Sequence, residues 1–165
     1  MSDRRPSLPG MDHQVGLGTL TAVERRQTAR LRRAIRDKGW ALSQGCIEVD
    51  GRHVEARYTA GLTRQHGHPE LIVVGWPMPR ERDVLEGIID HVATGQALEP
   101  CWVTFGDRRL ALVTVDHPEL LWLTHLVYGL EGHPVSALQL VAPDDRGRWP
   151  WAGGDGVLLG RWPFD

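Results

Sequence analysis

Lysine is almost missing from this chain: Lys38 stands alone against eighteen arginines. Arginine offers bidentate contacts that lysine cannot. Here the bias runs through the whole chain, so it reads as the habit of a G+C-rich genome and not as a designed anion site. Cysteine is scarce as well. Cys46 and Cys101 are the only two and form no C-x-x-C pair. A disulfide framework is therefore not expected, and the chain reads as cytoplasmic. Both lie in apolar, strand-like stretches, where a buried, inert thiol is the usual outcome. No run of about 18 apolar residues exists, which argues against a membrane span. Residues 1–20 lack the apolar stretch of a secretory signal. G-x-S-x-G is absent, which disfavours nucleophilic hydrolysis. A Walker loop and G-x-G-x-x-G are absent too.

What is present suits one ordinary domain: 165 residues, 41% hydrophobic and 24% charged. The expected division is a flexible N-terminal arm at 1–19, poor in apolar periodicity, and a single α+β domain at 20–165. Net charge is −2, too near neutral for a dedicated nucleic-acid binder. The balance is uneven, however. Residues 1–38 hold nine Arg or Lys against four Asp or Glu. A solvated helix face accounts for this, and the first helix lacks the interleaved aromatics of a nucleic-acid reader.

The pattern predicts nine elements. Thr21-Ala-Val-Glu24 fits a capping box and opens a helix whose apolar stripe is Val23, Leu31, Ala34 and Ile35, closed at Gly39. Strands at 41–49 and 53–60 flank Asp50-Gly51, a two-residue hairpin signal. Leu71 to Trp76 is a continuous apolar run, as expected of a central strand buried on both faces. Pro77 and Pro79 end it. A helix follows over 79–94, then strands at 101–105 and 109–115. Asp116 is placed as the N-cap of a helix from Pro118 to Tyr128 that stops at Gly129. A last strand covers 136–141, and the tail carries Trp149, Trp151 and Trp162. The order does not alternate strictly, so the expected class is α+β: a mostly antiparallel sheet or small β-barrel of about six strands, with three helices packed on it. His-Pro-Glu-Leu occurs at 68–71 and at 117–120, but the flanks differ and no duplication is inferred.

Chemistry-bearing residues concentrate in Tyr58-Thr-Ala-Gly-Leu-Thr-Arg-Gln-His-Gly-His-Pro-Glu70. His68 is placed as a candidate general acid or base, with Glu70 or Glu55 to orient it and Tyr58 or Thr63 to donate to a substrate. That makes His68, Glu70 and Tyr58 the candidate catalytic set. Gly61-Leu-Thr-Arg64 offers a turn, a hydroxyl and a guanidinium for an anion. With Thr59, it supplies the ligand-binding candidates Thr59, Gly61, Thr63 and Arg64. Asp145, Trp149 and Trp151 join them, because paired indoles near a loop can cover a flat ligand. A metal reading takes His66, His68 and Glu70 as alternating residues, with His53 from the paired strand. Against it, Gly67 and Pro69 suggest a turn and no established metal motif matches, so no metal ligand is assigned. The structural alternative is a turn in which His68 bonds to backbone and Glu70 caps or pairs with Arg64. For the tryptophans, the alternative is a tail pinned to the core.

Tyr58-Thr-Ala-Gly-Leu-Thr, Gly67-His-Pro-Glu-Leu71 and the strand to Gly75 resemble DUF4262, a bacterial domain of unknown function. Gly39-Trp40, His133-Pro-Val, Ala137-Leu-Gln-Leu-Val and Pro143-Asp-Asp-Arg-Gly-Arg-Trp-Pro-Trp151 are similar to that family's entry and closing patterns. The resemblance covers roughly 21–152 and implies that Tyr58, Gly61, Leu62, Thr63, Gly67, His68, Pro69 and Glu70 match its motifs, with Asp144, Gly147, Pro150 and Trp151. His66 falls outside them. It implies no activity and no cofactor. The leading expectation is a small-molecule-binding or catalytic domain. Its pocket lies near the Tyr58–Glu70 loop, with the Trp149–Trp151 loop nearby. The alternatives are a protein-interaction or accessory module without catalysis, and a metal-dependent hydrolase using His53, His68 and Glu70.

Overall fold

Thr21 opens the first helix by answering backbone groups that a helix start leaves unpaired. Its hydroxyl accepts from the Glu24 amide at 3.2 Å, and the Glu24 carboxylate accepts from the Thr21 amide at 2.7 Å. The computed structural model describes residues 20–76, 80–128 and 135–163. The arm at 1–19, Pro77 and Pro79 as a strand stop, Gly129 as a helix stop and His133-Pro134 lie outside the described residues.

Helix α1 (Ala22–Lys38) ends at Gly39, whose left-handed backbone lets its amide reach the Ile35 carbonyl. Its buried stripe is Thr28, Leu31 and Ile35. Val23, expected in that stripe, is instead 61% exposed. Thr28 is buried because its hydroxyl donates to the Glu24 carbonyl one turn back.

Strands β1 (Ala41–Val49) and β2 (Arg52–Ala60) form a hairpin. Both turn residues have positive φ, 51° at Asp50 and 74° at Gly51, as a type I′ turn requires. Side chains of β1 alternate. Ala41, Ser43 and Ile47 face inward, while Gln44, Cys46 and Glu48 face out. Cys46 is therefore exposed and Cys101 only partly buried, which corrects the expectation of two buried thiols.

A short helix α2 (Leu62–His66) leads into β3 (Glu70–Val74). Helix α3 (Arg80–Ala93) follows, then β4 (Cys101–Phe105) and β5 (Arg108–Thr114). The helix expected from Pro118 to Tyr128 is divided. A 3-10 turn covers Pro118–Leu120, the chain breaks at buried Leu121, and α4 runs Trp122–Tyr128. Asp116 does not cap it. The Asp116 amide donates to the Leu159 carbonyl, and His117 holds the cap position without a side-chain bond. Strand β6 (Ala137–Val141) and a 3-10 turn at Pro150–Ala152 complete the order.

The six strands make one sheet in the order β1-β2-β3-β6-β5-β4. All pairs are antiparallel except β3 with β6, which are parallel. β1 and β4 are its edges, so the sheet is open and the barrel alternative falls. Each face is instead covered from outside, as α+β architectures do. Ile72 and Val74 of β3 pack with α1 and α4 side chains, whereas Leu71 and Val73 pack with Val84, Leu85, Ile88 and Ile89 of α3. That is the period-two signature of a strand buried on both faces, and each such side chain contributes about 1.5–3 kcal/mol.

Gly61 joins β2 to α2 with φ 113°, and a Cβ there would lie 2.8 Å from the Gly39 carbonyl oxygen and 3.0 Å from Trp40 Cα. We predict that Gly61→Ala costs ~3 kcal/mol, combining backbone strain with a clash against main chain. Gly67 also has positive φ but open space around it, so Gly67→Ala should cost only ~1 kcal/mol. Urea unfolding of the two variants checks this. Equal losses would contradict the close approach.

Candidate functional site

Glu70 is fully buried at the first position of β3, and a buried carboxylate requires donors. It has four. Oε2 accepts from the Thr59 hydroxyl at 2.6 Å, and Oε1 accepts from the Gly61 and Thr63 amides, both at 3.2 Å, and from the Tyr128 hydroxyl at 2.8 Å. Thr59 Oγ1 in turn accepts the Leu71 amide at 2.9 Å. The knot thus ties together the end of β2, the entry to α2, the start of β3 and the last residue of α4.

Helix α4 is fastened there at three points. Its amino end is capped from another element: the Tyr58 hydroxyl accepts from the Leu123 amide at 3.2 Å. At the next residue, the Thr124 hydroxyl donates to the Thr59 carbonyl at 2.7 Å. Tyr128 closes on Glu70. Burial, then the Glu70 charge and hydrogen bond, push the Tyr128 phenol well above its ordinary range. Burial likewise raises Tyr58. Both phenols therefore stay protonated at neutral pH.

His68, 4% exposed, is held on both ring nitrogens by backbone. Nε2 accepts from the Leu98 amide at 2.9 Å, which leaves the proton on Nδ1, donated to the Pro69 carbonyl at 2.6 Å. With both ring nitrogens taken by backbone, its imidazole is hydrogen-bonded to neither Glu70 nor Glu55. The alternation that would aim His66, His68 and Glu70 to one side is broken, because Leu62–His66 is a helical turn closed by left-handed Gly67. His53 is exposed on β2. Among the described residues, no three His, Cys, Asp or Glu side chains are grouped to hold a metal.

The second motif lies elsewhere. Because β3 and β6 are parallel, residues before β3 and residues after β6 sit at opposite ends of the sheet. Tyr58–Glu70 and the Trp149–Trp151 loop, expected around one pocket, are therefore apart. At the carboxyl ends of β3 and β6 opens a cleft of about 860 Å³. Gly75 and Trp76 continue β3 into its wall, and Ala142 and Pro143 continue β6. Arg108, Asp145, Arg146 and Trp149 are part of its polar and aromatic lining. Of the sequence-derived candidates, Asp145 and Trp149 face this cleft. Trp151 stacks between Trp149 and Trp162, with ring centroids 5.0 Å and 4.6 Å away. These rings pack with Trp102 on Ala111, Val113 and Val141, so they fix the tail to the sheet.

Two anchors hold the cleft's wall. Asp144 accepts from the amides of Arg148, Arg146 and Asp155 and from the Arg148 guanidinium. These bonds, the Arg148 amide foremost, keep its carboxyl at about 2. Gln139 donates to the Val157 carbonyl and accepts from the Leu159 amide. Gln139 and Tyr128 stand outside the sequence-derived candidates. A glutamine inside an apolar strand (Ala-Leu-Gln-Leu-Val) and one of only two tyrosines were the available signals.

The profile of DUF4262, a domain of unknown function, matches residues 34–154, well over half of the chain. The chain belongs to the DUF4262 family. No curated protein and no solved structure matches it. The DUF4262 region runs from the last turn of α1 past the Pro150–Ala152 turn. It contains the whole Glu70 knot and most of the cleft, and it leaves Trp162 outside.

If the knot acts as one unit, its members are energetically coupled. We predict that Tyr128→Phe costs ~2 kcal/mol through the lost partner of buried Glu70. In a double-mutant cycle with Thr59→Val, unfolding free energies should show a coupling of at least ~1 kcal/mol. Additive losses would mean that the two hydroxyls serve Glu70 independently.

Proposed function

We propose that this DUF4262 chain is a small-molecule-binding domain whose ligand sits in the cleft at the carboxyl ends of β3 and β6. The observation that carries this reading is the position of the cleft. Parallel strands that end side by side leave a crevice beyond their carboxyl ends, which is where open sheets with parallel strands bind ligands. A volume of about 860 Å³ falls within the range of small-molecule sites, about 300–1,000 Å³.

The lining supports a polar ligand with both donors and acceptors. Arg108, Arg109 and Arg146 provide cations, Asp107 and Asp145 provide carboxylates, and Trp149 provides an aromatic wall. Arg109 lies 3.9 Å over the Trp102 ring, which orients its guanidinium. Such mixed charge on a rigid frame favours preorganised recognition over loose electrostatic capture. In this reading Tyr58, His68 and Glu70 hold the frame, because their polar atoms are engaged within the protein. No described helix is long and apolar enough to cross a membrane.

The test uses nuclear magnetic resonance on the full chain with panels of amino acids, nucleotides and sugar phosphates. A ligand is expected to move the amide signals of Gly75 and Ala142 and the indole signal of Trp149 together. Arg146→Ala or Asp145→Ala should weaken it by about tenfold, the worth of one charge-assisted bond, without lowering the melting temperature. A ligand that binds tightly while leaving those three signals in place would contradict the reading.

A further inference from the structure

Strand β1 is an edge of the sheet, and half of its backbone faces away from it. Across the Asp50-Gly51 turn, Val49 and Arg52 form the closing bonded pair, so the odd-numbered residues of β1 bond to β2. The same parity turns the Glu55 carbonyl of β2 the other way, to the Gly75 amide of the β3 side. Leu42, Gln44, Cys46 and Glu48 therefore point their amides and carbonyls outward, and among the described residues nothing bonds them. An edge that must stay single is ordinarily short, or guarded by Lys, Pro or a bulge. β1 has none of these devices. It runs nine residues in unbroken register, holds no Lys, Arg or Pro, and shows uncharged Gln44 and Cys46 at mid-strand. Gly45 lies between them with open space where a Cβ would stand. A glycine inside a regular strand suits the close approach of a second backbone.

Helix α1 says which strand this edge would accept. It packs on β1 and on α4. Its Thr28, Leu31 and Ile35 stripe faces the sheet, while Arg32 and Arg36 turn toward α4, where they line a hollow with Val127 and Tyr128. By the helical repeat, the opposite flank, above the free edge, carries Val23, Arg26, Arg30 and Ala34. The whole helix holds seven Arg or Lys against two Asp or Glu. Two copies joined edge to edge would set two such helices side by side, and like charge opposes that pairing. An acidic strand meets complementary charge instead.

We propose that the free edge of β1 receives an extended acidic segment of another protein, which joins the sheet as an added strand beneath the flank of α1. Its backbone bonds to Leu42, Gln44, Cys46 and Glu48, as in other cases of strand addition. Its side chains alternate, so those on the α1 side reach Arg26 and Arg30 with carboxylates. Exposed Val23 and partly buried Ala34 give that flank its apolar contact. This surface is independent of the cleft proposed above, whose lining includes no residue of α1 or β1.

The probe is a capped Thr-Glu-Val-Glu-Val-Glu-Thr peptide, followed by amide shifts and amide exchange on the full chain. It should shift Leu42, Gln44, Cys46 and Glu48 saturably below about 10 mM, where a complex of about 1 mM Kd is nearly filled, and should slow exchange of those four amides. The same peptide with Lys for Glu should not bind, nor should one whose backbone is N-methylated at alternate residues. Added salt should weaken binding. Cys46→Pro removes one outward donor at an edge position that tolerates proline, and should weaken binding about tenfold. Arg26→Gln/Arg30→Gln should cause a similar loss while keeping the melting temperature, since both side chains are exposed. A peptide that leaves the four signals unmoved overturns the proposal, as does equal binding by the Lys or N-methylated peptide. So does protection of the same four amides without peptide, because a second copy or the chain itself then fills the edge. A single-stranded oligonucleotide that moves them while the acidic peptide does not overturns it as well. A cleft ligand moves Gly75, Ala142 and Trp149 instead, so failure of one site is distinguishable from failure of the other.

Discussion

A buried carboxylate must be surrounded by donors or lose its charge, and the arrangement of Glu70 follows from that constraint. The four donors it needs come from three places in the chain. Thr59 lies next to the end of β2, the Gly61 and Thr63 amides enter α2, and Tyr128 ends α4. Satisfying one side chain therefore fixes the path of the chain between two strands and the docking of a helix. The left-handed backbone of Gly61, pressed against Gly39 and Trp40, is part of the same solution. It lets the amide turn inward while α1 passes close by. His68 plays a comparable role on a smaller scale, since both of its nitrogens are answered by backbone.

With one end of the β3/β6 pair filled in this way, the open end is the other. There the parallel strands part company, and the chain after β6 folds back as a loop held by Asp144, Gln139 and a tryptophan stack. The polar residues of the first motif work inward, and those of the second leave Asp145, Arg146 and Trp149 facing a cleft. The contrast separates a segment whose polar atoms are consumed by the fold from one that keeps polar side chains at a cleft wall.

Much of the fold was legible in the residues. The capping box at Thr21, the Asp50-Gly51 turn and the apolar run after Glu70 are local signals, and each element they mark is present within a residue or two. The mixed α+β class followed from element order, and DUF4262 membership from the two separated motifs. What was not legible was long-range. Asp116 looked like a cap by its neighbours, but the α4 amino end is capped by Tyr58, sixty-five residues away in sequence. Nothing local marks β3 and β6 as parallel, and that pairing alone sends the two motifs to opposite ends. The density of polar side chains at 58–70 was read as chemistry because composition does not distinguish a polar group aimed at a ligand from one aimed at its own backbone. Gln139 and Tyr128 were missed for the converse reason. Each stands alone in an apolar stretch, and its importance comes from partners eighteen or more residues away.

Native-state hydrogen exchange tests the central claim most directly, because it reads whether the Glu70 knot opens alone or with the whole fold. The amides of Gly61 and Thr63 lie in the first turn of a short helix and would ordinarily exchange by local fraying. If Glu70 holds them as described, they exchange with the same opening free energy as Leu71 and Val73 in the central strand. Exchange of Gly61 and Thr63 through a local opening, with Leu71 and Val73 still protected, would contradict the account.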